Sequence, residues 1–357
     1  MFVMILSLGS HSLSAADNHY TYSDLVSPCR AQNSLVPGME KKPLFYDEYK
    51  TTLGPEDLRK AKEELHEDDN SREPALVQMR EYIAKHPQII RCRTDSIFLL
   101  RFLRARKFNV QAACQMLDDW LITGWKAKDF FRFKPNEWDR FLDQALIVPV
   151  GPDEKGRMVI ICRYGLFDAE TVTAEDQIQL LTLVLESFID TETYQINGMV
   201  VVLDFQGAKM AHFGMWTIPK LKTLMSATND ILPLRLKEIH LIQLPKYACV
   251  LLDFCLSVMK PKLQQRIKFH KTTDELKAAV DNSVLPTIYG GSLSLEEAND
   301  RFRKRVAQER DRILLINEFD LDVTMPSPNA KNSHGAGLQS DLADEAVIGS
   351  FRKLNVD

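Results

Sequence analysis

Phe98-Leu-Leu-Arg-Phe-Leu-Arg-Ala-Arg-Lys-Phe108 carries two signals in one short run. At helical spacing Leu99, Phe102 and Leu103 share a face that can pack inward. Arg101, Arg104 and Lys107, three apart, line another, and taken alone they read as a solvated basic face. Thr94 or Asp95 can cap a helix whose body is Ile97 to Ala105, and Phe108-Asn109 breaks it. Working outward, Gly54-Pro-Glu-Asp opens a helix through Leu58, Ala61 and Leu65. Glu73 to Lys85 continues with Leu76, Met79 and Ile83 until His86-Pro87 ends it. Val110 to Lys126 follows on the other side, using Ala113, Leu117, Trp120 and Leu121. Residues 51–140 therefore read as an all-helical lobe.

The pattern changes after Trp138. Met158-Val-Ile-Ile-Cys162 follows a Gly-Pro-Asp-Glu-Lys-Gly turn and reads as a strand. Met199-Val-Val-Val-Leu203 is apolar and β-branched throughout, the mark of a buried parallel strand. Ile239-His-Leu-Ile242 and Ile267-Lys-Phe-His270 supply two more strands. Helices are expected between them over Ala174–Thr193, Thr217–Asn229 and Tyr247–Val258. Alternation of this kind implies an α/β lobe with a mainly parallel sheet, placed at residues 141–310. The chain is helical and charged again from Ser292 to about Glu318. Residues 1–50 read as a flexible leader and 311–357 as a mostly flexible tail, with a short segment at Val347–Leu354.

Composition narrows the function. The chain has 357 residues, 45% hydrophobic and 26% charged, enough for a sizeable core. A net charge of −4 argues against a nucleic-acid coat. Cys29, Cys92, Cys114, Cys162, Cys249 and Cys255 form no Cys-x-x-Cys pair, and most sit in apolar runs, so buried free thiols in a reducing compartment are expected. Phe2 to Leu8 is apolar and Ser14-Ala-Ala16 resembles a cleavage site, but no Lys or Arg precedes Arg30. A disordered or alternative leader is the better reading than a cleaved signal. No run reaches the ~20 apolar residues of a membrane span.

Common enzyme signatures are absent: no Gly-x-Gly-x-x-Gly, no Walker loop, no Gly-x-Ser-x-Gly, no His-Glu-x-x-His. Asp204 ends an apolar strand, where α/β enzymes often place an acid, yet without a partner nucleophile it reads as a structural cap. His212 and His240 read as structural histidines. Tyr247 to Met259 holds one charge, Asp253, among Val250, Leu251, Leu252, Phe254 and Leu256. Such a helix must be buried or face a membrane part of the time.

Several ordered segments resemble the CRAL-TRIO lipid-binding family, which includes the α-tocopherol transfer protein, the cellular retinaldehyde-binding protein and the clavesins. The Leu99–Phe108 run resembles its N-terminal signature. Asn197-Gly-Met-Val-Val-Val-Leu-Asp-Phe-Gln-Gly207 resembles its central strand and Asp-x-x-Gly turn. Pro233 to Ile242 resembles the strand beyond the pocket, and Leu285-Pro-Thr-Ile-Tyr-Gly-Gly291 its closing motif, with Ile288 where the family has Glu. The resemblance spans roughly residues 55–310.

The resemblance implies a helical lobe packed on an α/β lobe, an apolar cavity between sheet and helices, and a mobile gate helix at Tyr247, Val250, Leu251 and Phe254. Alignment to the tocopherol transfer protein over 176–234 implies ligand-facing positions at Ile178, Leu181, Leu185, Met199, Val201, Leu203, Trp216, Leu224, Ala227 and Leu232. Leu181 and Leu185 stand where that protein has serines, so handles for a ligand hydroxyl are lost. Arg106, the pair Arg235 and Lys237, and the pair Lys262 and Arg266 match phosphoinositide-contacting positions, the last pair less closely.

The implied role is cytoplasmic binding of a small tocopherol- or retinoid-like lipid. Transfer would occur between endosomal or other intracellular membranes, docked through phosphoinositides. No catalysis, cofactor, metal or nucleic acid is implied. A lipid-sensing adaptor acting through a protein partner is the alternative.

Overall fold

The computed structural model describes residues 38–134, 138–326 and 328. The apolar leader segment, the possible cleavage site, Cys29 and the Val347–Leu354 segment lie outside the described residues.

The N-terminal lobe is helical, as the periodicity predicts. Helix α1 spans Pro55–Leu65, with Pro at its first turn where the missing N–H costs nothing. Helix α2, Asp69–Lys85, starts four residues before the expected Glu73 because Asp68 and Ser71 close a reciprocal capping box. Strand β1 is Ile89–Arg91. Asp95 caps α3, Ser96–Ala105, and Asn109 caps α4, Val110–Lys126. Phe98, Leu99, Phe102 and Leu103 form the lobe's core with Leu76, Met79, Ile83 and Leu117.

Short helices α5, Lys128–Phe131, and α6, Asp139–Leu142, lead into the second lobe. Its elements follow as β2, Ile147–Pro152; β3, Met158–Arg163; α7, Ala174–Phe188; α8, Glu192–Asn197; β4, Met199–Asp204; α9, Met210–Gly214; and α10, Ile218–Ser226. Then come β5, Leu236–Ile242; α11, Cys249–Val258; α12, Pro261–Gln264; β6, Ile267–His270; α13, Thr273–Ala279; and α14, Leu295–Gln308. The sheet order is β2-β3-β4-β5-β6. All neighbours are parallel except the β2–β3 pair. Strand β2 escapes the sequence patterns because Pro149, Gly151 and Pro152 interrupt it, which only an edge strand tolerates. Met199 on β4 packs in the core on the α7 side, while Val200 and Val202 pack with Leu276 and Ala298 on the other.

Three expectations need correction. The single helix expected over Ala174–Thr193 breaks after Phe188, and α8 begins afresh at Glu192. The break places Asp190 against three arginines. The expected tail is ordered at its start: α15 spans Arg310–Leu314, a 3-10 turn follows, and β7, Asp320–Leu321, pairs antiparallel with β1. The end of the expected leader also packs, Lys41 donating to the carbonyls of His86 and Ile89 at 2.8 and 2.9 Å.

The third correction concerns the basic face. Arg101 and Arg104 are 1% and 0% exposed in their side chains. Arg101 sets its fork on Glu186, at 3.1 Å to each oxygen, and reaches Asp190 at 2.6 Å. Arg93 and Arg312 meet the same Asp190 at 3.1 and 3.0 Å. Arg104 bridges Glu67 at 2.7 Å and Glu192 at 2.9 Å. Only Lys107 is exposed, past the end of the helix. Burial alone would raise the Asp190 pKa; Arg101, Arg93 and Arg312 outweigh it and hold the carboxyl well below its ordinary value.

Removing one partner of such a group strands the others in a dry interior. Arg101→Ala is therefore expected to lower unfolding free energy by about 3–5 kcal/mol. Urea denaturation monitored by tryptophan fluorescence measures it; a loss below about 1 kcal/mol would match a mere surface pair.

Candidate functional site

An apolar cavity opens between the two lobes. Helix α7 presents Ile178, Leu181 and Leu185, three and four residues apart on one face. Leu224 of α10 and the following π-helical turn, with Ala227, Thr228 and Ile231, form a second wall that ends at Leu232. Trp120, Leu121 and Trp125 of α4 face them, and Phe131, Ile316, Phe319 and Leu321 add to the lining. The space opens to solvent at its mouth; as a cavity it measures about 110 Å³, and about 1000 Å³ when the open mouth is counted. Its threonines are largely self-satisfied: Thr182 and Thr228 donate to the carbonyls of Ile178 and Leu224, both at 2.8 Å. What the cavity offers a guest is chiefly apolar surface.

Six expected pocket positions line this space: Ile178, Leu181, Leu185, Leu224, Ala227 and Leu232. Four do not. Met199 is buried in the core beside α7, and Val201 and Leu203 pack half-buried against the same core from the sheet. Trp216 is buried in a separate cluster with Ile178 and Leu221. The walls from α4 and from Ile316 to Leu321 were not expected, since they lie outside the aligned stretch. The apolar–charged alternation of Phe319-Asp-Leu-Asp-Val323 is the signal for that last segment. Phe319 packs 4.9 Å from Trp120 and 5.5 Å from Phe98, ring to ring.

The expected gate helix lies at the surface. No residue of α11 is fully buried. Leu251, Phe254 and Cys255 pack inward on the cluster of Ile178, Trp216 and Leu221. Val250 is 58% exposed, and Tyr247, in the 3-10 turn before the helix, is 42% exposed. Cys249 is exposed as well, against expectation, while Cys92, Cys114 and Cys162 are buried free thiols.

Of the expected anion-binding residues, the structure groups Arg235, Lys237 and Arg266. Burial, then the Arg235 charge, pushes the Lys237 ammonium down to about 8; Lys60 and Arg266 add to this and Glu64 opposes it. Glu64 of α1 pairs with Arg235 at 2.6 Å and lies 3.9 Å from Lys237. Lys60, also on α1, was not expected here. Arg106, at the C-terminal end of α3, and Lys262, exposed on α12, stand outside the charges that act on Lys237.

Asp204 accepts from the Tyr289 hydroxyl at 2.6 Å and the Gln206 N–H at 2.8 Å. It thus ties the end of β4 to the Leu285–Gly291 turn. That turn needs glycine at 291, where a Cβ would sit 1.9 Å from the Leu285 carbonyl oxygen. Ile288 is 52% exposed, so its departure from the family pattern lies on the surface. His212 is held by the Phe167 carbonyl at 2.8 Å and the Lys209 N–H at 2.9 Å. Among the described residues no His, Cys, Asp and Glu cluster could hold a metal, and no helix is long and apolar enough to cross a membrane.

A family model described as the CRAL/TRIO domain matches residues 142–291, and one described as the CRAL/TRIO N-terminal domain matches 56–119. The two span more than half of the chain. The chain belongs to the CRAL/TRIO family. Clavesin-2 of Rattus norvegicus and of Homo sapiens are each 29% identical to it over 248 residues, covering 68% of this chain and 75% of theirs. Clavesin-1 of Pongo abelii is 29% identical over 248 residues, 70% of its own length. A solved structure described as Sfh5 aligns with 69% of this chain and 98% of its own at 13% identity and a TM-score of 0.44. CRAL/TRIO membership supports lipid binding and transfer as the general role.

His240, buried in β5, accepts or donates at 2.8 Å to His270 and at 3.0 Å to Glu238. Burial pushes its pKa down to about 4, despite the nearby Glu238. The folded state therefore binds fewer protons than the unfolded one between about pH 6.5 and 4, and stability from this group falls as pH drops through that window. His240→Gln should flatten the pH dependence of the denaturation midpoint there; an unchanged slope would refute the assignment.

Proposed function

We propose that this chain binds a small hydrophobic lipid, tocopherol- or retinoid-like in its apolar body, and carries it between membranes without catalysing a reaction. The observation that carries this reading is the apolar cavity between the helical lobe, expected at 51–140, and the lipid lobe, expected at 141–310. Each ~100 Å² of apolar ligand surface placed there is worth about 2.5 kcal/mol gross. Leu181 and Leu185 offer the α7 wall no hydroxyl, and that of Thr182 is spent on the Ile178 carbonyl, so the cargo is held there chiefly by its hydrocarbon.

Docking is proposed to use the cations of Arg235, Lys237 and Arg266 on a phosphoinositide headgroup, with Arg106 and Lys262 as further contacts. Lys60 joins this set. Multidentate charge-assisted bonds to phosphate suit such a group. Exposed Tyr247 and Val250 would meet the apolar boundary of an intracellular membrane, endosomal among the candidates, as α11 opens.

Transfer of a fluorescent tocopherol or retinoid between vesicles, with and without phosphoinositide, tests both halves. Wild-type transfer should rise with phosphoinositide. Arg235→Ala should abolish the rise, while Glu64→Gln, which removes the internal counter-charge, should strengthen vesicle binding several-fold. Unchanged transfer in both variants would sink the docking role. Leu185→Trp should fill the cavity and deplete any lipid that mass spectrometry finds in the wild-type protein; full retention would sink the cavity assignment.

A further inference from the structure

Two charged side chains line the cavity, Arg132 and Glu186. Glu186 is fully engaged: both its oxygens take the Arg101 fork, and Arg312 lies 3.8 Å away. Arg132 is not. Its half-buried guanidinium gives one hydrogen bond, to the Phe319 carbonyl at 3.1 Å, and no carboxylate pairs with it among the described residues. Four of its five N–H groups remain for solvent or a guest. The backbone that carries it is pinned. The Phe133 N–H donates to the Asn317 side-chain oxygen at 2.8 Å, and the Asn317 amide returns a bond to the Phe133 carbonyl at 2.9 Å.

An apolar guest changes the electrostatics of this wall. As it fills the space it strips water from Arg132, and a cation left beside hydrocarbon without a counter-charge is strongly disfavoured. A hydroxyl, aldehyde or ester end can accept one bond but cannot neutralise the charge. A carboxylate does both, and its two oxygens match the planar fork. The α7 wall, with Leu181 and Leu185, suits the other end of the same molecule.

We propose that the cargo ends in a carboxylate, a long-chain or isoprenoid acid, and that Arg132 is the group that pairs with it. This rests on the lipid-cavity reading above and names the chemistry of the ligand's polar end.

The test uses the delipidated full chain titrated with oleate and oleyl alcohol, which share a chain and differ only in the head. Tryptophan quenching or calorimetry reads the affinity. A charge-assisted pair is expected to make oleate bind at least about tenfold more tightly than the alcohol. Arg132→Gln should erase that preference by weakening oleate alone, and Arg132→Lys should restore part of it. Equal binding of the two probes to wild type overturns the inference, whether or not the variants fold. So does an Arg132→Gln chain that is folded by circular dichroism and still prefers oleate. If neither oleyl probe binds but tocopherol or retinol does, the cavity reading stands and the anionic head falls. If no probe binds, both fall.

Discussion

The paired carboxylates of Glu186 and Asp190 hold this protein together. They sit at or just past the end of α7 and receive three arginines from two distant parts of the chain: Arg93 and Arg101 from the helical lobe, and Arg312 from α15. A buried group of this kind gains little over a well-packed hydrophobic one, because desolvating the charges offsets most of their attraction. Its effect is on geometry. Guanidinium forks satisfy carboxylates in few orientations, so the lobes and the C-terminal helix are fixed at one angle and one register. The cavity depends on that angle, since α4 supplies one wall, α7 a second and the segment after α15 a third.

That arrangement explains why the sequence was legible in some places and not in others. Local patterns located α1, α3, α4, β3, β4 and β6: helical spacing marked the inward faces of the helices, and short apolar or β-branched runs marked the strands. The same periodicity misassigned Arg101 and Arg104. Their spacing marks a face apart from Leu99 and Phe102, but spacing does not record whether that face meets water or a second lobe. For Arg101 the deciding acids are Glu186 and Asp190, more than eighty residues away; for Arg104 they are Glu192, as distant, and the nearer Glu67. The long helix also ends early, and Asp190, in the break, pairs with arginines outside its own segment.

The site shows the same division. Six pocket positions carried over by resemblance lie on α7, α10 and the turn after it, where one helical face is continuous. The other four sit on the sheet or in the Trp216 cluster, outside the lining of this cavity. The walls missed altogether come from α4 and from Phe319 and Leu321. Their contribution follows from the lobe angle and from the β1–β7 pairing, neither of which leaves a mark within a single segment. The cation group is similar: Arg235 and Lys237 are neighbours in sequence, but Lys60 and Glu64 reach them only because α1 packs beside α8.

The turn after α10 links these parts to α11, the helix proposed as a gate. A π-helical turn carries an extra residue per turn and so reorients its side chains, a feature common where a helix serves two purposes. Here Ala227, Thr228 and Ile231 face the cavity. Asn229 of the same turn faces outward, donating to the Val258 carbonyl at 3.0 Å and accepting from the Lys260 N–H at 3.1 Å. Those two bonds hold the C-terminal end of α11. The other end is held by the Tyr247 hydroxyl on the Ala208 carbonyl. Between these tethers no α11 residue is fully buried, and Leu251, Phe254 and Cys255 make its inward contacts. The turn that lines the cavity with Ala227 and Ile231 is thus the same turn that anchors α11, the helix proposed as a gate, through Asn229.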